Sequence, residues 1–284
     1  MSRDITQMQD ALGLLRLGYA QPLLELPARR WQDGETTERV EAVVEEVPVA
    51  MVYNGLPHAV MMATPQDLED FALGFSITEE LIRGKADLQR IECIRYSRGI
   101  EIQMTVSAAC EEAIAAKTRR LTGRTGCGIC GADSVDSVLK TTRTVSGTVP
   151  IRRAAVQAAL ESLASQQTLN AAAGAVHAAG WATLDGAICL VREDVGRHNA
   201  LDKLIGGLLK RDVDPTQGFV VVTSRASFEM VQKTTVLGAP LMAAVSGPTG
   251  LAIRVAQQAG LTLLGFARTG RHTVYTHPER LNDL

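Results

Sequence analysis

The chain is poor in cysteine, close to neutral and without an unbroken apolar run that reads as a membrane span, and each shortage removes a class of function. Five cysteines are spread over 284 residues, an odd count in which only Cys127 and Cys130 stand close together. Cys93, Cys110 and Cys189 are scattered in apolar or helical surroundings, which favours a reducing compartment over a disulfide framework. A net charge of -2, with 46% hydrophobic and 21% charged residues, is ordinary for a globular chain and gives no general attraction to nucleic acid or to a membrane. One uncharged stretch, Thr234 to Ile253, is long enough to span a bilayer, but Gly238, Pro240, Gly247, Pro248 and Gly250 interrupt it. It reads instead as a strand, a turn and a helix start. The opening residues carry acids and lack the basic head, apolar run and small-residue cleavage site of a secretory signal, so a cytoplasmic protein is expected. No internal repeat or low-complexity tract occurs.

What is present is a concentrated sulfur motif. Residues 123–131 read Gly-Arg-Thr-Gly-Cys-Gly-Ile-Cys-Gly, with glycine at 123, 126, 128 and 131. Such a stretch can hardly be core, and its glycines predict a mobile loop that presents both sulfurs outward. Four readings fit the pair. A zinc site needs roughly four ligands, and with no second cysteine pair it would have to recruit His177 and His198 from afar. A thioredoxin-type motif sits at a strand-to-helix turn in a much smaller domain, whereas this loop follows a predicted helix. A structural turn with incidental cysteines is the third. The fourth is a sulfur carrier, in which a thiolate accepts sulfane sulfur as a persulfide. A thiol of pKa about 8.5 is only a few per cent ionised at neutral pH, and a shift to about 7 makes it half thiolate; Arg124 is close enough in sequence to help.

The rest of the chain reads as a layered protein. Residues 1–36 form a weakly structured lead-in, 37–122 a small α+β part, 123–147 the Gly/Cys loop and 148–284 an α/β part. Val40 to Tyr53 is valine-rich and alternating, Asn54-Gly55 is a hairpin turn, and His58 to Ala63 is the return strand. Thr64-Pro65-Gln66-Asp67 then opens a helix, with threonine as cap and proline in the first turn. Its apolar face is Leu68, Phe71, Ala72, Phe75 and Leu81. Residues 91–106 read as two strands and 108–121 as a helix. Beyond the loop, 151–166 has helical composition. Strands at 186–191, 218–223, 241–245 and 261–266 then alternate with helices at 199–210, 227–237 and 249–259, the pattern of an α/β sheet.

Ligands of such sheets sit where strand ends meet helix starts. Here the junctions are polar. Glu193, Asp194, Arg197, His198, Asn199, Asp202 and Lys203 crowd one; Ser224, Arg225 and Ser227 open the next; Ser246-Gly247-Pro248-Thr249 opens a third. Free N–H groups and the positive dipole end favour anions, and arginine strengthens a phosphate contact, so a phosphorylated ligand is expected. The plainer alternative is that the hydroxyl residues only cap helices. His177 is followed by Ala178-Ala179, one glutamate short of the opening of a zinc deaminase signature, and no cysteine pair follows it. Hydrolytic deamination is therefore excluded, and His177 reads as a helix-embedded histidine.

The runs Met61-Met62-Ala63-Thr64-Pro65, Asp67-Leu68-Glu69-Asp70-Phe71-Ala72, Cys127-Gly128-Ile129-Cys130-Gly131, Asp194-Val195-Gly196-Arg197-His198-Asn199-Ala200 and Arg225-Ala226-Ser227-Phe228-Glu229-Met230-Val231, closed by Gly265-Phe266-Ala267-Arg268 and Arg271, resemble the formate dehydrogenase accessory sulfurtransferases, the FdhD family. The resemblance spans residues 40–280. It implies a cytidine deaminase-like layered sheet lacking the zinc site, a homodimer and no protein-bound metal of its own. It further implies a cytoplasmic sulfurtransferase that takes sulfur from a cysteine desulfurase as a persulfide and hands it to the molybdenum bis(molybdopterin guanine dinucleotide) cofactor of formate dehydrogenase. On that resemblance the persulfide falls on Cys127 with Cys130 beside it, and the cofactor-binding segment on Phe266, Ala267, Arg268, Thr269, Gly270 and Arg271; Arg225 joins them from its helix start. Residues 170–177, Asn-Ala-Ala-Ala-Gly-Ala-Val-His, depart from the family's Thr-Gly-Gly-x-His-type run, so His177 is left outside the expected site. Two rivals stand beside the sulfurtransferase. One is a non-catalytic protein that ferries the guanylated cofactor; the other is a thiol redox switch.

Overall fold

Twenty residues, Leu23–Gln32 (β1) and Glu35–Val44 (β2), form an antiparallel ribbon whose side chains are largely exposed. In this computed structural model, which describes residues 21–121, 143–145 and 150–283, the ribbon is the first element. Asp33 and Gly34 close it, both at positive φ, the backbone that lets a two-residue turn match strand twist. For residues 23–36 the ribbon corrects the expectation of a weakly structured lead-in, and residues 1–20 of that lead-in lie outside the described residues. With little buried on either face, no apolar alternation marked β1 or the start of β2.

The chain then builds a four-stranded sheet from β3 (Val47–Tyr53), β4 (Leu56–Ala63), β5 (Leu88–Tyr96) and β6 (Gly99–Val106), ordered β4-β3-β6-β5 with only β3 and β6 parallel. The single strand expected over 40–53 is broken at Glu45 and Glu46, where the ribbon gives way to the sheet. The Asn54-Gly55 hairpin is present, with φ of 47° and 79°. Helix α1 (Leu68–Thr78) covers this sheet, burying Leu68, Phe71, Ala72 and Phe75, with Leu81 just beyond its end, as the apolar spacing predicted. Its start differs from the expectation. Asp67, in left-handed backbone, occupies the cap, and Thr64 lies before the helix with its own task described below. Helix α2 (Ala108–Leu121) buries Cys110 and Ile114 in the same core.

The larger half is a six-stranded sheet of β8 (His177–Thr183), β9 (Ile188–Asp194), β10 (Gly218–Val222), β11 (Leu241–Ala244), β12 (Thr262–Arg268) and β13 (Arg271–Thr276), in the order β13-β12-β11-β10-β8-β9. β10, β11 and β12 run parallel; the other pairings are antiparallel. Both faces are covered. Val220 and Val222 pack with α5 (Arg197–Lys210), α6 (Phe228–Leu237) and α7 (Gly250–Ala259), while Phe219 and Val221 pack against α3 (Arg153–Ser165). Burial on both sides is why these strands read as continuous apolar runs. A short pair, β7 (Ile151–Arg152) with β14 (Leu281–Asn282), ties the start of this half to its end, and α4 (Thr168–Ala173) precedes β8. The sequence pattern found the longer helices and the parallel strands to within a few residues but missed α4, β7, β8, β13 and β14. His177 begins β8, which corrects its placement on a helix. Among the described residues no helix is long and apolar enough to cross a membrane.

Candidate functional site

Much of the polar 192–203 junction joins the two halves of the protein, so its charged residues are largely unavailable to the phosphorylated ligand expected at these junctions. Lys203 and Asp194 form an ion pair of 2.7 Å with both side chains fully buried. Asp194 also accepts from the Thr64 backbone N–H (3.0 Å), from Gly196 N–H (2.8 Å) and from the Asn199 amide (2.9 Å). Lys203 donates to the Thr64 carbonyl, and Thr64 Oγ1 accepts from Val195 N–H. Thr64 is thus held by three contacts to the junction, which is why it does not cap α1. A second buried pair, Asp202 with Lys233 (2.9 Å), is completed by Thr78 and Glu79. Burial works against both charges, raising Asp202 and opposing Lys233, but Asp202 and Glu79 together carry Lys233 above its ordinary value. Each partner of the pair is matched and hydrogen-bonded, which offsets the cost of burying it. Glu193 accepts from the backbone N–H groups of Leu169 and Asn170 and so caps α4.

The groups left over converge on one edge, where β10, β11 and β12 end. Val245 N–H bonds to Val222, Ser246 N–H to Ser224, and Phe266 N–H to Ser246, so the three post-strand loops lie side by side. Arg225, Phe266, Arg268, Thr269, Gly270 and Arg271 are all exposed there, whereas Ala267 is buried. Phe266 has φ of 50° at a bulge between β12 and β13, and that strained backbone turns its ring out of the sheet, 50% exposed. The ring lies over Gly247, where an added Cβ would sit 2.7 Å from its Cζ. Only a residue without a side chain allows that approach. Arg268 and Arg271 are register partners at the tip of the β12–β13 hairpin, and Gly270 N–H anchors that tip to Gln157 (2.7 Å). The result is an exposed aromatic face beside guanidinium groups, suited to a planar ring carrying negative charge.

At the other end of this edge, β8 brings in His177. It pairs in register with Asp194, and Ala178 exchanges hydrogen bonds with Thr223 at 3.0 and 2.9 Å. His198 Nε2 stands 3.0 Å from a Glu229 carboxylate oxygen, close enough for an ion pair once the ring is protonated but misaligned for a hydrogen bond. The His198 contact holds the Glu229 carboxyl below the ordinary range. Burial, then Arg197 and His198, pushes the His177 ring below the usual histidine value. Thr249 does cap α7, accepting from Ala252 N–H, but Ser227 makes no such bond at the start of α6. His177, Arg197, His198 and Ser227 were missed as a group because they come from three separate segments.

Cys127 and Cys130 lie outside the described residues. Of the other cysteines, Cys110 is buried and Cys93 half-buried, its thiol pushed up by burial and then by Glu69, while Cys189 is exposed. No cluster of metal-ligating side chains is found among the described residues.

Comparison with known proteins places this arrangement. A model of the FdhD/NarQ family matches residues 44–282. The chain belongs to the FdhD/NarQ family. The sulfur carrier protein FdhD of Cupriavidus necator is 49% identical over 252 residues, covering 89% of this chain and 88% of its own. The protein of the same name from Bordetella petrii is 49% identical over 241 residues, covering 85% and 87%. A crystal structure of a Desulfotalea psychrophila protein described as a formate dehydrogenase accessory protein superimposes with a TM-score of 0.73 at 22% identity, covering 92% of this chain and 99% of that one. The mixed α/β fold with several sheets is therefore that of the family. The family match takes in the Cys127–Cys130 segment and the whole polar edge, and leaves β1 and nearly all of β2 ahead of it.

Proposed function

We propose that this chain is a sulfurtransferase: it accepts sulfur on Cys127 as a persulfide from a cysteine desulfurase and delivers it to the molybdenum bis(molybdopterin guanine dinucleotide) cofactor required by formate dehydrogenase. The observation that carries this is the 49% identity to proteins named sulfur carriers over most of the chain, with the Cys127–Cys130 pair inside the matched region. In the first step the Cys127 thiolate attacks the terminal sulfur of the donor persulfide. A new S–S bond forms, the donor S–S bond breaks, and the donor cysteine leaves as a thiolate. In the second step the terminal sulfur passes to the cofactor as a formally neutral atom and Cys127 returns as a thiolate. Cys130 assists release or steadies the persulfide, and a Cys127–Cys130 disulfide would be an inactive side state.

The cofactor is cargo here. Phe266 offers a face for guanine, and Arg225, Arg268 and Arg271 offer charge for its phosphates. The reading includes a cytoplasmic homodimer and a six-stranded sheet that is the zinc-free counterpart of the cytidine deaminase layer. A binding-only protein that ferries the cofactor is the second reading, and the exposed edge favours it as much as it favours transfer, since no described cysteine belongs to that edge.

Peptide mass spectrometry after incubation with a cysteine desulfurase and cysteine, without reductant, separates the two. Sulfur transfer predicts one added sulfur atom on Cys127, lost in Cys127→Ala together with formate dehydrogenase activation. No added sulfur, with activation intact in Cys127→Ala, would leave the ferrying role.

A further inference from the structure

The β12–β13 hairpin tip is tied to α3 by a row of polar contacts that runs through His272. Gly270 N–H, at a φ of 78°, donates to Gln157 Oε1 at 2.7 Å. The Gln157 amide nitrogen stands 3.2 Å from His272 Nδ1, and Arg153 Nη1 stands 3.2 Å from His272 Nε2. The ring and both α3 side chains are half-buried. This row cannot be fully satisfied while His272 is neutral. Arg153 and the Gly270 amide stand at its two ends, and both only donate. Between them, neutral histidine and glutamine each give one hydrogen and take one. One of the three contacts must therefore set donor against donor, whichever tautomer or amide orientation is chosen. The mismatch costs least at Arg153, whose guanidinium also pairs with Asp283. Nδ1 then accepts from Gln157, and Gln157 Oε1 is left to Gly270. Protonation reverses this arrangement. An imidazolium donates from both nitrogens, so Nδ1–H competes for the same Gln157 oxygen. A charge-assisted bond is roughly twice as strong as a neutral one. The oxygen therefore turns to His272, and the Gly270 N–H loses its acceptor.

We propose that Gln157 and His272 form a proton-operated latch: the hairpin tip is held against α3 while His272 is neutral and released when it is protonated. Its consequence for function rests on the cofactor reading above, because the released tip carries Arg268 and Arg271. Gln157 and His272 act as positioning residues, through Gly270. The charged side chains on the surrounding elements are Arg153 and Glu161 on α3, Asp283 beyond β14, Arg254 on α7, and Arg268 and Arg271 on the hairpin. Burial, and then Arg153, holds the ring below the ordinary histidine value. The latch is thus closed at neutral pH and opens only below about pH 6.5.

Nuclear magnetic resonance of the isotope-labelled full chain, without ligand, tests this across the histidine titration range. The readouts are the His272 ring titration and the hydrogen-exchange protection of Gly270 N–H, in wild type, His272→Phe and Gln157→Glu. The spectrum of each variant confirms its folding. In wild type, Gly270 protection should fall by roughly five- to tenfold, the worth of one hydrogen bond, at the midpoint of the His272 titration. His272→Phe should keep Gly270 protected throughout. The carboxylate of Gln157→Glu offers an oxygen to each donor, so it should raise the His272 midpoint and keep Gly270 protected at low pH. Gly270 protection that ignores the His272 midpoint, or keeps its wild-type pH dependence in His272→Phe, overturns the latch. So does an unchanged His272 midpoint in Gln157→Glu. Each of these failures leaves the cofactor reading in place, and loss of that reading leaves the latch intact, because no ligand takes part in the measurement.

Discussion

Gly74 and Gly206 meet face to face where α1 crosses α5. A Cβ built on Gly74 would stand 1.8 Å from the Asp202 carbonyl oxygen, and one on Gly206 would stand 1.9 Å from that of Asp70. The contact is backbone on backbone, so neither side can yield by a change of rotamer. This crossing fuses the four-stranded sheet to the six-stranded one, and the buried pairs Asp194–Lys203 and Asp202–Lys233 lie along it. Gly74→Ala and Gly206→Ala should each destabilise by at least the 1–3 kcal/mol typical of overpacking, roughly. Urea unfolding checks this; a loss below about 0.5 kcal/mol, within the ordinary range for surface changes, would mean that the crossing is looser than it is drawn.

Lys203→Met removes the positive half of a fully buried pair and leaves Asp194 among its N–H donors. Breaking such a pair costs about 3–5 kcal/mol. Thr64→Val removes only the Oγ1 acceptor of Val195 N–H and should cost about 1–3 kcal/mol. The order of the two losses, measured by denaturant unfolding, is the check. A larger loss for Thr64→Val would locate the strength of the joint in neutral hydrogen bonds.

Acid sensitivity should appear well above carboxylate titration. His58, His177 and His272 are each depressed, in every case first by burial. The unfolded chain therefore binds protons at these sites near pH 6.5 while the folded chain still refuses them. Stability is full above about pH 6.5 and falls as pH drops toward the folded values. His58→Gln, which keeps a polar partner for Thr118 at 2.7 Å from the native ring, should flatten part of that slope. Chemical denaturation midpoints from pH 8 to pH 5 provide the measurement, and a flat profile in the native protein would contradict the burial of these rings. Glu229, depressed by His198, adds a further loss only at lower pH, as its carboxylate protonates.

Phe266→Ala should weaken guanosine binding by the worth of a base–aromatic stack, about 1–3 kcal/mol. Gly247→Ala should act on the same ligand from beneath, because its methyl would displace the Phe266 ring. Fluorescence or calorimetric titration reads both. Unchanged affinity in Phe266→Ala would remove the ring from the ligand site.

The sequence by itself was enough for the elements with a strong local pattern. Continuous apolar runs such as Phe219–Val222 declared strands buried on both faces, the Leu68–Phe71–Phe75 spacing declared the buried face of α1, and Asn54-Gly55 declared its hairpin. The paired cysteines and the family runs were equally visible, because they are contiguous. What only the tertiary structure decided is the division of labour among polar residues. Asp194, Asp202 and Lys203 read as ligand-facing because charged side chains at a helix start ordinarily meet solvent or ligand. They are buried because partners more than a hundred residues away, Thr64 and Thr78, close on them from the other half. The same packing brought His177 near Arg197 and His198 from a strand that the sequence did not announce. Secondary structure follows from the neighbours along the chain; whether a charge binds a ligand or braces the fold follows from what the fold brings against it.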